Sequence, residues 1–323
     1  MSENHFTMFP GQGSQRAGMA AHLLRDHPRT AGRVLARAEE ATGLALTALC
    51  TTAAESDLEP TEIAQPAIVA TSLAVYEILR TDAGFVPGAV AGHSLGEYTA
   101  LVAAGVLGAD DALRLVRRRG ELMAGVSRRV SGAMTAVMGL APARIEEICT
   151  TAAGRGVVEV ANYNEAGQTV ISGQSAAVAE AAALAAEAGA ERTVPLKVSA
   201  PFHSSLMRVV EDEFAAELER VDFRTPRLPV ISSVTGARIT GGAQARDLLR
   251  RQLAGPVRWV DVLATAAALG VDGYLEVGPG RVLSGFAKRT APNARVRSTN
   301  DARRITTLLR DLAQETADAA VAA

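Results

Sequence analysis

The stretch Ala91-Gly92-His93-Ser94-Leu95-Gly96-Glu97 places a serine between two glycines where an apolar run meets a helical pattern. Ala89-Val90-Ala91 reads as the end of a buried strand and Leu95 to Ala104 as a helix, so a sharp strand-to-helix turn falls on Ser94. Glycines at 92 and 96 remove the side chains that would block it. The pattern is a nucleophile elbow. It exposes the Ser94 hydroxyl at the apex, with a helix N-terminus behind it whose N–H groups face a developing negative charge. Gly-x-Ser-x-Gly also occurs in plain tight turns; the flanking strand and helix separate the two readings.

A second glycine-rich turn lies upstream. Phe9-Pro10-Gly11-Gln12-Gly13-Ser14-Gln15 follows the apolar segment Phe6 to Phe9 and precedes a helical run from Ala17. Glycines on both sides of Gln12 let the main chain approach a ligand, so the N–H groups of Gln12 and Leu95 together form a candidate oxyanion hole. A dinucleotide fingerprint is disfavoured, because Arg16 stands where the third glycine belongs.

Periodicity gives helices at about residues 17–42, 61–81, 95–104 and 110–125, alternating with short apolar strands such as Gly88 to Ala91, the signature of a parallel sheet between helical layers. From about residue 130 the rhythm changes. Ala133 to Gly139, Val157 to Tyr163, Gln168 to Ser172 and Arg192 to Val198 read as strands, with helices over Pro142 to Ala153 and Ala176 to Ala188. That β-α-β-β-α-β order is ferredoxin-like. The α/β pattern then resumes, with strands at Pro229 to Ser233 and Tyr274 to Val277 and a helix from Asp247. The expected fold is therefore α/β: a large α/β-hydrolase-like domain with a parallel sheet core, residues 1–129 and 199–323, and an inserted small ferredoxin-like domain, residues 130–198. The Ala-rich end, Ala319 to Ala323, is expected to fray.

Bulk properties narrow the function classes. A net charge of −2 argues against nucleic acid as a partner. No apolar run reads as membrane-spanning and Met1 to His5 are polar, so a cytoplasmic protein that neither enters a membrane nor is exported is expected. Two cysteines, Cys50 and Cys149, are too few for a disulfide scaffold or a cysteine-based zinc site. No metal is expected.

A serine nucleophile needs a base, and the histidines are His5, His22, His27, His93 and His203. His93 adjoins Ser94, yet neighbouring side chains at an elbow point apart, which makes it a buried hydrogen-bonding residue. His203 follows a strand in a loop-like Pro201-Phe202-His203 context that can aim an imidazole; the alternative is an ordinary core or surface histidine. An α/β-hydrolase places its acid and then its histidine late in the chain, whereas here about a third of the chain follows the last histidine. A Ser-His dyad fits better than a triad. Arg119 falls four residues after Leu115 and three before Leu122, on the apolar face of its helix, unlike Arg117 and Arg118. A guanidinium there needs an anion: a ligand carboxylate, or an internal Asp or Glu.

Seven segments in order carry a resemblance: Phe9 to Gln15, Gln65-Pro66-Ala67, Gly92 to Tyr98, Arg119-Gly120-Glu121-Leu122-Met123, Ala200-Pro201-Phe202-His203-Ser204, Arg251-Gln252-Leu253 and Glu276-Val277-Gly278-Pro279-Gly280. Together, over residues 6 to about 290, they resemble the malonyl-CoA:acyl carrier protein transacylase family. The resemblance implies a free-standing acyltransferase that moves malonyl from malonyl-CoA, its coenzyme A thioester substrate, to the phosphopantetheine thiol of an acyl carrier protein through a malonyl-serine. It implies no permanently bound cofactor and a monomer. It gives Ser94 as nucleophile, His203 as base and the main-chain carbonyl of Gln252 as orienter of the ring. Arg119 would hold the malonyl carboxylate, with Gln65, Asn162 and Phe202 also at the substrate. In polyketide relatives Phe at this place accompanies malonyl and Ser methylmalonyl. Docking of an acidic carrier would use Arg192, Lys197, Arg281, Lys288 and Arg289. Gly255 stands where the family pattern has Asn. Other readings within reach are a trans-acting polyketide acyltransferase with another acyl donor, a thioester hydrolase and a non-catalytic carrier-binding scaffold.

Overall fold

A computed structural model describes residues 4–198 and 200–322, with side chains described as far as residue 315. The strands are β1 (His5–Phe9), β2 (Ala89–Gly92), β3 (Gly132–Met138), β4 (Val158–Glu165), β5 (Gln168–Gln174), β6 (Arg192–Pro195), β7 (Val230–Ile231), β8 (Val257–Arg258), β9 (Gly273–Glu276) and β10 (Arg295–Ser298). Two five-stranded sheets result, in the orders β10-β9-β1-β2-β7 and β6-β3-β5-β4-β8.

The first sheet is parallel throughout, and every residue of β1, β2 and β9 is buried, as a sheet covered on both faces requires. Alternation along β1 divides its side chains. Phe6 and Met8 join the cluster around Trp259, Val262 and Phe286, whereas Phe9 enters the larger cluster built on the helices Pro28–Thr42, Thr61–Ala83 and Ala109–Ser127.

The helical run expected at 17–42 divides into Ala21–Asp26 and Pro28–Thr42. Pro28 opens the second helix, and His27 before it leaves the helical region at φ −132°, ψ 53°. The helix Thr61–Ala83 corrects another expectation. By length and composition it could cross a membrane, at mean hydropathy 1.2, but 78% of that window is buried and it forms the centre of the larger cluster. Cys50 and Cys149 are free and buried, and burial pushes their thiols up to about 11 and about 12, which leaves them unreactive.

In the second sheet β3 pairs antiparallel with β5 and β6, and β4 with β5. One face carries the helices Pro142–Ala152 and Ser175–Glu187 over a core of Val137, Ile145, Ile171 and Ala181. Met134, Ala136, Ala161 and Val170 belong instead to the cluster of the first sheet, so the opposite face closes over it. The strand β8 is unexpected: it lies far along the chain yet pairs parallel with β4 through Asn162↔Val257 and Tyr163↔Arg258.

The helix expected from Asp247 runs Gly242–Arg251, and the chain's last helix, Ala302–Ala322, was not foreseen. The last helix runs through Ala319 to Ala322, where fraying is expected, and Ala323 lies outside the described residues. Buried Glu276, at the end of β9, accepts hydrogen bonds from the N–H groups of Leu283 (3.2 Å) and Ser284 (2.7 Å), and so caps the helix Val282–Thr290. That is the physical content of the Glu276-Val277-Gly278-Pro279-Gly280 motif: it fixes a helix that helps wall the cleft.

Candidate active site

β2 ends at Gly92 and the helix Gly96–Ala103 begins four residues later, with Ser94 between them at φ +49°. A Cβ on Gly92 would lie 1.8 Å from the carbonyl carbon of Gly96, and one on Gly96 would lie 2.0 Å from the oxygen of Phe9. Neither clash can relax, because both partners are main chain, so the turn admits only glycine at these two places. The His93 N–H donates to the Phe9 carbonyl at 3.0 Å, which locks the elbow to β1.

His203 sits in a second left-handed conformation, at φ +58°, and is buried. Its Nε2 lies 2.7 Å from Ser94 Oγ. Its Nδ1 faces two carbonyl oxygens, Gln252 at 2.9 Å and Gly255 at 3.0 Å. Since both are acceptors, Nδ1 carries the proton and Nε2 is the lone pair presented to the serine. Burial, then the charge of Arg119, then His93, hold the imidazole down at about 3, so the ring is neutral. The Gly in place of Asn at 255 leaves this contact intact, because it is a main-chain one. His93 turns the other way, with Nε2 2.9 Å from Asn164 Oδ1 and its ring tilted over Trp259 at 5.4 Å.

Arg119 is 2% exposed, and no carboxylate lies within ion-pair distance of it among the described residues. The internal ion pair is thus absent there. Its guanidinium donates to neutral acceptors only: Gln65 Oε1 at 2.9 Å, Ser94 Oγ at 3.1 Å and Gln252 Oε1 at 3.3 Å, with the Tyr98 ring 5.9 Å away. Arg117 and Arg118, by contrast, pair with Glu121 on the outer face of the helix. Gly120 allows this depth: a Cβ there would lie 2.8 Å from the Cα of Glu62, so the helices Ala109–Ser127 and Thr61–Ala83 pack backbone to backbone and Arg119 reaches Gln65.

Two contributors escape sequence reading. The side chain of Gln252, whose expected role lies in its main-chain carbonyl, is buried and donates to Ser94 O (3.1 Å) and Glu97 Oε2 (2.8 Å). Glu97, next to the elbow, is a fully buried carboxyl tied also to Ser233. A charged residue at the second position of a largely apolar, buried helix was the available signal.

Ser94, His203 and Arg119 open on one cavity of about 440 Å³, whose wall also carries Gln12, Met123, Asn162, Lys197 and Phe202. Gln65 is absent from the wall and touches the site through Arg119 and through Met123, to whose Sδ its Nε2 donates at 3.6 Å. Among the described residues, neither the Gln12 nor the Leu95 N–H finds an acceptor. Lys197 stands at the wall, and Arg192, Arg281 and Lys288 are exposed. Arg289 is engaged, ion-paired to Glu165 at 2.6 Å and lying over the Phe286 ring. No cluster of three or more metal-ligating side chains occurs among the described residues. The arrangement offers a serine hydroxyl, a neutral imidazole, two main-chain donors and a cation without an ion-pair partner among the described residues. That is equipment for acyl transfer with an acyl group that bears its own carboxylate.

Comparison with known proteins agrees. The chain is 41% identical to the malonyl CoA-acyl carrier protein transacylase of Escherichia coli K12 over 91% of its length and 95% of that protein's. It superposes on the crystal structure of the malonyl-CoA:acyl carrier protein transacylase of Xanthomonas oryzae pv. oryzae with TM-score 0.92 and 40% identity, covering 96% of this chain and 99% of the other. A malonyl-transacylase solved in complex with its type II polyketide synthase acyl-carrier protein matches at TM-score 0.91 and 39% identity, over 95% and 99% of the two chains. A family model, the acyl transferase domain, matches residues 6–322, and the chain belongs to that family.

Proposed function

We propose that this protein transfers a malonyl group from malonyl-CoA to the phosphopantetheine thiol of an acyl carrier protein. The observation that carries the reading is Arg119, a buried guanidinium with no acid in ion-pair contact among the described residues, donating to the same hydroxyl that His203 Nε2 faces. The Ser94 oxygen attacks the thioester carbonyl while its proton passes to His203 Nε2. The N–H groups of Gln12 and Leu95 receive the oxyanion, and Arg119 holds the free carboxylate. The C–S bond breaks, coenzyme A leaves as the thiol with the proton from His203, and Ser94 keeps the malonyl ester. The carrier thiol then gives its proton to His203, attacks the ester and leaves with the malonyl group, and the proton returns to Ser94. Arg192, Lys197, Arg281 and Lys288 are the docking charges in this reading, and no cofactor takes part.

The lobes are two domains in this reading: a hydrolase-like one of residues 1–129 and 199–323, and a ferredoxin-like insert of residues 130–198. The second sheet's own apolar core and its order β6-β3-β5-β4 support the division, although β8 crosses it. The two inert thiols fit a reducing cytoplasm.

Intact-protein mass spectrometry tests the function. Brief mixing with malonyl-CoA should add one malonyl group to the parent and none to Ser94→Ala, and a holo carrier protein should then take it up. Free malonate without a transferable adduct would instead make water the acceptor and the protein a hydrolase.

Phe202 lines the cavity just before His203, where its ring crowds a substituent on the α-carbon. Phe202→Ser should raise kcat/KM for methylmalonyl-CoA relative to malonyl-CoA by about 5- to 150-fold, since one methyl in a pocket is worth about 1–3 kcal/mol. An unchanged ratio in a competition assay would assign selectivity to other wall residues.

A further inference from the structure

The side-chain amide of Gln252 has only one orientation that its surroundings accept. Its Nε2 faces three oxygens: Glu97 Oε2 at 2.8 Å, the Ser94 carbonyl at 3.1 Å and Ser233 Oγ at 3.5 Å. Its Oε1 faces the guanidinium of Arg119 at 3.3 Å. Turning the amide over would aim its N–H groups at a cation that can only donate, and its oxygen at the three oxygens that now accept from it. Glu97 provides the shortest of these contacts. It is held for that purpose from the other side, since the N–H and hydroxyl of Ser233 donate to the same oxygen at 3.2 Å and 2.6 Å. Its other oxygen, Oε1, has no hydrogen-bond partner among the described residues. A proton there would leave Oε2 an acceptor, so the contact holds in either ionisation state.

The consequence reaches Arg119. An acid in direct contact with the guanidinium would satisfy it permanently and compete with a substrate carboxylate. Here the carboxyl is placed one residue back, and a neutral amide stands between it and the cation. Arg119 is thereby aimed by weak acceptors that a ligand carboxylate displaces. We propose that Glu97 is a positioning residue: by fixing the Gln252 amide it holds Arg119 ready for the carboxylate of the acyl group. The inference rests on the malonyl reading above, in which Arg119 meets that carboxylate.

The test uses Glu97→Ala and Glu97→Gln in the full chain, with malonyl-CoA and acetyl-CoA as donors. Glu97→Ala should raise KM for malonyl-CoA about 10-fold or more, with kcat and acetyl transfer changed by less than about 3-fold. Glu97→Gln, which can still offer a carbonyl oxygen to Gln252 and Ser233, should restore malonyl KM to within about 3-fold of the parent. The Gln252 side-chain NH₂ resonances in the NMR spectrum of the free enzyme should shift or broaden in Glu97→Ala and stay in place in Glu97→Gln. Equal loss with both donors, or an unmoved Gln252 resonance in Glu97→Ala, would reduce Glu97 to a brace between the elbow and Ser233 and overturn the proposal. If Glu97→Ala does not fold, Glu97→Gln and Ser233→Ala take its place. Ser233→Ala loosens the carboxyl without removing it and should raise malonyl KM selectively; a parent-like value would again overturn the proposal. Arg119→Ala measured alongside separates the two levels, because equal loss of malonyl and acetyl transfer there would fell the malonyl reading itself.

Discussion

Replacing His203 by alanine is expected to slow formation of the malonyl-Ser94 ester by about 100- to 10,000-fold, the usual share of a positioned general base. Rapid-quench mass spectrometry of the acyl-enzyme measures it, with the melting temperature as a control on folding. The size follows from the geometry. Nε2 lies 2.7 Å from the hydroxyl, and Nδ1 is pinned by the carbonyls of Gln252 and Gly255, so the lone pair needs no reorganisation before it accepts the proton. A loss below about 10-fold would remove the ring from the proton transfer.

The same ring makes a statement about pH. In the free protein its pKa is lowered from 6.5 to about 3, with burial the largest cause. kcat/KM reports ionisations of the free enzyme, so His203 should put no acid limb into its profile between about pH 5 and 8. For stability the sign is that of a depressed group. The folded protein refuses a proton that the unfolded chain accepts below pH 6.5, so this contribution is complete above 6.5 and is lost as pH falls toward about 3.

What the sequence made legible is what depends on local stereochemistry. The elbow could be read because Gly92 is demanded by a clash with Gly96 in the same turn, although the clash that demands Gly96 comes from Phe9 on β1, and Arg119 because helical spacing alone puts it among Leu115, Leu122 and Met123. His203 was legible through its Pro201-Phe202-His203 loop context and the family resemblance, since an ordinary core or surface histidine fits the residues alone equally well. The Gln252 amide was not, since its burial depends on Glu97 and Ser94, more than 150 residues away in sequence. The two-residue strand β8 was illegible for a related reason. Val257–Arg258 has too little length to show alternation, and only its pairing with Asn162 and Tyr163 makes it a strand. The edge strand β10, Arg295–Ser298, alternates basic residues with Val296 and looks like a loop until β9 is beside it.

Arg119→Ala is the substitution that separates an acyl transferase from one that selects an acid-bearing acyl group. A carboxylate held by charge-assisted hydrogen bonds worth roughly 1.5–3 kcal/mol each gives the expected loss for malonyl-CoA, about 100-fold or more in kcat/KM. Acetyl-CoA has no carboxylate to lose. Its transfer should fall by less than about 10-fold, through the missing bond from Arg119 to Ser94 Oγ and the acceptors left bare on Gln65 and Gln252. Charge gives a second signature. Arg119 is the second cause, after burial, of the low pKa of His203, so removing it moves that pKa upward, toward but not to 6.5. Acetyl transfer by Arg119→Ala should therefore acquire an acid limb at higher pH than the parent shows. By the same sign, a bound malonyl carboxylate offsets the Arg119 charge and makes His203 a stronger base at the moment the serine proton must move. Arg119→Lys keeps the charge but loses the planar fork. It should leave the pH profile near the parent's while recovering malonyl transfer only in part. Equal losses for malonyl and acetyl in both variants, with unshifted pH profiles, would make Arg119 a packing residue and take the substrate assignment with it.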